Sequence, residues 1–184
     1  MNPATPRYTG TAVALHWLLA ILLIGQFAFG WYLQGVERGL PARAFFVNLH
    51  KSNGILLGLL ILLRLGWRLT HRPPPLPGAM PAWQRRAAVA SHDLLYGLML
   101  VMPLSGYLAS NFSKWGVNFF NRWEWAPWGI ESPAAYAVLN GVHVAASWLL
   151  LALVTLHVLA ALKHLLVSHD GVFQRMWPNR ASRL

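Results

Sequence analysis

The sequence predicts an all-α integral membrane protein, a four-helix bundle with both termini in the cytoplasm. Three observations lead there. Of 184 residues, 56% are hydrophobic and only 11% charged, a composition too apolar to be solvated by water as one soluble domain. The apolar residues gather into four blocks, each long enough to cross a hydrocarbon core of roughly 30 Å as a helix. The formal charge of +10 is not gathered into one patch, as nucleic-acid binding would ask, but sits between the blocks as a topological signal. Membrane lipid, and no nucleic acid, is the expected surrounding partner.

The first block, Ala12 to Leu33, carries His16 near its start and is followed by Gln34, Gly35, Val36 and Glu37. That is not a small-residue cleavage pattern, so the block is expected to be a retained span rather than a signal peptide. The second block, Val47 to Leu69, leads into Arg72-Pro73-Pro74-Pro75-Leu76-Pro77-Gly78, a run that cannot continue a helix and makes a semi-rigid polar loop. The third, Ala88 to Ser110, contains Pro103, which a membrane helix tolerates and which is expected to kink it. The fourth runs from Tyr136 to Val167. In lipid every backbone polar group must be satisfied within the segment, and no block alternates with the period of a barrel strand, so all four are expected to be helices of a single domain spanning 1–184.

Charge sets the orientation. The N-terminus, the proline-rich loop and the C-terminal tail share one side and carry Arg7, Arg72, Arg85, Arg86, Arg175, Arg180 and Arg183, with Arg64, Arg68 and Lys163 close by inside the helices. The opposite loops carry Arg38, Arg43, Lys51, Lys114 and Arg122, diluted by Glu37, Glu124 and Glu131. The excess places both termini in the cytoplasm. Trp115, Trp123, Trp125 and Trp128 then fall in the outer loop, where amphipathic rings favour the headgroup layer.

Five histidines, His16, His50, His92, His143 and His157, lie within the apolar blocks, where an ionisable residue is costly and marks a pathway, a relay or a cofactor. One such histidine could simply bond a neighbouring helix; five point to a cofactor. His143 and His157 are fourteen residues apart on the fourth block, which is about 40° short of four full turns and about 21 Å along the axis. They share a face at two depths, a spacing that suits two cofactors stacked through one membrane. No cysteine is present, which removes iron–sulfur clusters, zinc-thiolate sites and covalent haem attachment together. Imidazole is the usual nitrogen donor to haem iron, and two haems would need four axial ligands. At the outer depth His50 and His143 are the pair. At the inner depth His16, His92 and His157 compete for two places. His71, His164 and His169 fall at span ends, loop or tail and read as surface histidines.

The runs Tyr8 to Leu19 (YTGTAVALHWLL), His50 to Gly54 (HKSNG) and Ser91 to Tyr107 (SHDLLYGLMLVMPLSGY), with the fourth-block histidine pair, resemble bacterial cytochrome b561. More distantly they are similar to the cytochrome b subunits of hydrogenases and formate dehydrogenases. The resemblance extends from about Arg7 to Pro178 and implies a multi-pass protein of the bacterial inner membrane with two haem b groups. It also implies that the inner haem joins His16 to His157 and the outer haem His50 to His143. His92 is then left beside Asp93, where a free histidine next to a carboxylate suits proton delivery to a quinone; a structural hydrogen bond is the alternative. Arg64 and Arg68, one turn apart in the inner half, either pair with haem propionates or snorkel to the surface.

With both axial positions filled, chemistry is limited to electron transfer. Resemblance to the stand-alone cytochromes b561 implies electron transfer from superoxide at the periplasmic face to ubiquinone in the membrane, with Lys51 and Lys114 giving a small anion a positive approach. Ordinary juxtamembrane lysines are the plainer reading of those two. The alternative function is a relay subunit that anchors a peripheral hydrogenase or dehydrogenase, or takes electrons from another periplasmic donor, and passes them to quinone. A haem-free transporter would call for inverted repeats and broken helices, which are not apparent. A homodimer is compatible with the sequence, which does not set the oligomeric state.

Overall fold

A computed structural model describes residues 6–178; Arg180 and Arg183 of the basic tail lie outside the described residues. The described residues are mostly helical. Four long apolar helices, α1 (Gly10–Gly35), α2 (Pro41–Thr70), α3 (Ala82–Asn111) and α4 (Pro133–Lys163), are each long and apolar enough to cross a membrane. Every helix is longer at its N-terminal end than its apolar block, because start signals lie outside the hydrophobic run. Thr9 and Ser132 cap α1 and α4 by accepting the backbone N–H groups of Ala12 and Ala135, satisfying donors that a helix leaves unpaired. Pro41 and Pro133 occupy first turns, where the missing N–H costs nothing.

Each helix packs on its neighbour in sequence: α1 on α2, α2 on α3, α3 on α4. The fully enclosed apolar core is small, centred on Leu19, Leu57 and Ile61, while Ile21, Ile24, Leu59, Leu63, Val138 and Leu156 face outward. That is the inverse of a soluble bundle and suits a hydrocarbon solvent. Helix α3 runs through Pro103 without interruption. At Gly58 of α2 an added methyl group would stand 3.2 Å from the Pro103 ring, so a larger residue there would push α2 and α3 apart by a few tenths of an ångström.

The two ends of the bundle are built differently. At one end the N-terminus, the proline-rich loop and the C-terminal segment meet: Arg7 donates to the Trp177 carbonyl (2.9 Å), Trp17 to that of Met176 (2.7 Å) and Arg175 to that of Pro75 (2.5 Å). Between them α4 ends in a π-helical turn, His164–Ser168, closed by His169 at φ 48°, and a 3₁₀ turn Phe173–Arg175 follows. At the other end the α3–α4 connection forms an antiparallel hairpin, β1 (Val117–Phe119) and β2 (Trp123–Trp125), which a purely helical expectation misses. Its turn places Phe120 and Asn121 at positive φ, the geometry of a tight hairpin turn. Helix α2 holds it: Ser52 Oγ accepts the Phe120 N–H (2.8 Å), and Asn121 bonds both Asn48 and the Phe45 carbonyl.

Candidate functional site

The five intramembrane histidines fall into two groups, one toward each end of α4. His50 of α2 faces His143 of α4 with ring centres 6.4 Å apart near the hairpin end. Toward the termini end His16 of α1 faces His157 of α4 at 6.3 Å, and His92 of α3 approaches the same His157 ring at 5.3 Å. A metal–imidazole bond of about 2 Å, and about 1 Å from ring nitrogen to ring centre, put two axial imidazoles of one iron roughly 6 Å apart between centres. The first two separations fit that requirement closely. The His92–His157 separation is too short for it.

Both fitting pairs join α4 to a helix it is not closely packed against, α1 in one case and α2 in the other. A planar group held between axial ligands needs that kind of gap. Glycines of the neighbouring helices α1 and α3 leave room for the rings: a methyl group at Gly30 would meet the His50 ring at 3.4 Å, and one at Gly106 the His143 ring at 3.1 Å. Among the described residues His50 Nδ1 is buried with no hydrogen-bond partner, an unsatisfied polar atom of the kind found where a further group binds.

The ring nitrogens differ in their partners. His143 Nδ1 donates to the Met102 carbonyl (2.9 Å), with Ser105 Oγ 3.4 Å away. A carbonyl can only accept, so Nδ1 carries the proton and Nε2 is left with a free lone pair for a metal. His92 Nδ1 donates to Ala88 of its own helix (2.6 Å). Among the described residues His16 and His157 make no ring-nitrogen hydrogen bond.

A family model described as prokaryotic cytochrome b561 matches residues 7–179. The chain belongs to the prokaryotic cytochrome b561 family. It is 35% identical over 178 residues to Cytochrome b561 homolog 2 of Escherichia coli K12, covering 92% of this chain and 90% of that protein. It is 27% identical over 180 residues to Cytochrome b561 homolog 1 of the same organism, covering 95% and 98%. A Yersinia pestis protein named "Probable superoxide oxidase CybB" is 25% identical over 186 residues, covering 95% and 97%. This cytochrome is accordingly a multi-pass membrane electron-transfer protein whose cofactor class is haem b.

The remaining sequence candidates of this cytochrome b561 protein fall at both ends. Arg64 turns inward, its Nε donating to Tyr96 Oη and its Nη1 to the Ala12 carbonyl, each at 3.1 Å. Ala12 lies one turn before His16. Arg68 lies over the Tyr96 ring at 5.6 Å. The two arginines and Tyr96 border a cleft that Met176 also lines. His92 and Asp93 are adjacent in sequence but not paired: His92 is half-buried and bonded to Ala88, whereas Asp93 is exposed beside Arg85 and Arg86. Lys51 is half-buried and donates to the Gly116 carbonyl at 2.7 Å, so its ammonium is tied to the hairpin, while Lys114 is exposed over the Trp115 ring. His164 pairs with Asp170 at 2.6 Å, and His71 stacks on Trp67 at 3.7 Å; neither approaches the histidine pairs.

Sequence reasoning missed the Met102–Gly106 seat of His143. Its one signal was the run Pro103-Leu104-Ser105-Gly106, a proline and a small-residue pair inside a span. Such residues leave room at a helix interface.

Proposed function

We propose that this cytochrome carries electrons across the bacterial inner membrane between two b haems, one held by His16 and His157 and the other by His50 and His143. The observation that carries the reading is the pair of matched ring separations, 6.3 and 6.4 Å, at two depths of one helix. Haem bound between two imidazoles supplies one-electron transfer at its edge and no open coordination position. The protein holds the rings, excludes water with its apolar helices and places the hairpin end in the periplasm. Arg72, Arg85, Arg86 and Arg175 at the termini end support that orientation, and a reporter fused after Leu184 should read as cytoplasmic.

The electron donor in this reading is superoxide at the hairpin end and the acceptor is ubiquinone in the bilayer. Two superoxide anions each lose one electron and leave as dioxygen; the quinone gains two electrons and two protons and leaves as quinol. A small anion needs only a positive approach, and Lys114 supplies an exposed cation beside the hairpin. His92, bonded through Nδ1 and standing beside the termini-end pair, is positioned to hand a proton toward the quinone. The name of the Yersinia pestis relative supports the choice of donor.

The test is to add superoxide to purified oxidised protein and follow haem absorbance, then repeat with ubiquinone present. Reduction without quinone and turnover with it are expected. Failure of superoxide to reduce the protein, with quinol still reducing it, would put a relay subunit for another donor in place of this reading.

A further inference from the structure

The two histidine pairs match in ring separation but not in what holds the rings. At the hairpin end α3 offers His143 a built seat. The Met102 carbonyl takes the Nδ1 proton at 2.9 Å, and Gly106 leaves room where a methyl group would stand 3.1 Å from the ring. Ser105, only 3% exposed, gives its one proton chiefly to the Val101 carbonyl (2.7 Å, with that of Met102 at 3.1 Å), which leaves an Oγ lone pair 3.4 Å from His143 Nδ1. At the termini end neither His16 nor His157 has such an acceptor among the described residues. A cation stands close instead, the Arg64 guanidinium, bonded to Ala12 one turn before His16.

These differences act on reduction potential with the same sign. An imidazole whose Nδ1 proton is given to a carbonyl places more electron density on Nε2, and a more basic ligand favours the ferric over the ferrous state. A neighbouring guanidinium favours the state with one positive charge fewer, the reduced one. We infer that the Met102–Gly106 turn is a positioning device that makes the hairpin-end haem the lower-potential member of the pair, so that electrons run downhill from the hairpin end toward the termini end. Met102 acts through its carbonyl, Gly106 through the space it leaves, and Ser105 as a second, weaker acceptor for the same ring proton. This rests on the two-haem reading above.

The experiment is a potentiometric titration of the purified protein followed in the visible spectrum. The two components are assigned with His16→Ala, which leaves the hairpin-end haem, and His50→Ala, which leaves the other. The hairpin-end component is expected at the lower midpoint. Gly106→Ala makes the His143 ring give by a few tenths of an ångström, which weakens its bond to the carbonyl and should raise that midpoint without moving the other. Should Gly106→Ala fail to hold its haem, Ser105→Ala decides: removing the second, weaker acceptor of the Nδ1 proton should raise the same midpoint by less, and an unmoved midpoint there overturns the inference too. A hairpin-end component at or above the other, or a midpoint unmoved in a haem-loaded Gly106→Ala, overturns the inference while leaving two haems in place. A protein with a single haem overturns the reading beneath it instead.

Discussion

At the hairpin end His143 is fixed by a carbonyl of the helix beside it, and its partner His50 has a buried nitrogen without a hydrogen-bond partner among the described residues. At the termini end His16 and His157 lack ring-nitrogen partners among the described residues, but a third histidine and a guanidinium crowd the pair. One site is positioned by backbone, the other surrounded by polar side chains. The contrast teaches that equal ring spacing does not mean equal chemistry. The hairpin end is built to hold a ligand still, whereas the termini end gathers groups that can carry charge and protons.

The strongest way to break that comparison is to remove a ligand. His50→Ala or His143→Ala should lose the hairpin-end haem, about half the haem absorbance of the purified protein, and leave the other. His16→Ala or His157→Ala should do the reverse. Loss of all haem from any single replacement would mean that the two sites are not independent. A subtler strike is at His92. His92→Ala should keep both haems and slow reduction by quinol at least several-fold, a typical cost of removing a proton-transfer group being larger still, about 10²-fold. If it strips the termini-end haem while His16→Ala spares it, the roles of those two histidines are exchanged.

Arg64→Gln should lower the midpoint of the termini-end component and leave the other in place. A charge interaction of about 1 kcal/mol across a protein interior corresponds to about 40 mV for one electron, so a shift of that order is expected in a potentiometric titration. The smallest effect belongs to steering. Lys114→Gln should slow reduction by superoxide by a few-fold and weaken its salt dependence, since attraction between exposed charges is screened over about 10 Å at 0.1 M salt. Lys51→Gln should contribute less, because the Lys51 ammonium already bonds the Gly116 carbonyl. Equal rates and equal salt slopes for the wild type and the double variant would remove both lysines from the approach path.

Much of the fold was legible in the sequence because hydropathy reports the cost of exposing a residue to lipid directly. The four spans follow from it, and the two depths on α4 follow from the fourteen residues between His143 and His157. What hydropathy does not report is where a helix begins outside the lipid. Pro41–Phe46 and Ala82–Ala87 are helical yet outside the apolar blocks, set by first-turn proline and by backbone bonding. The hairpin escaped because its strands are three residues each and depend on side chains of α2, Ser52 and Asn48, far away in sequence. Depth alone leaves His16, His92 and His157 competing for two places; the family resemblance implies His16 with His157, and the ring separations of 6.3 and 5.3 Å support the same choice. Lys51 looked like a free surface cation since nothing in its local sequence announces a hydrogen bond to residue 116.

The most direct test of the central claim, that two separate histidine pairs each hold a haem, is the ratio of haem to polypeptide in the purified membrane protein, read by pyridine haemochrome absorbance against amino-acid analysis. Two matched pairs and no cysteine predict two haems per chain, all of them extractable by acid-acetone. A ratio of one, or none, would contradict the account.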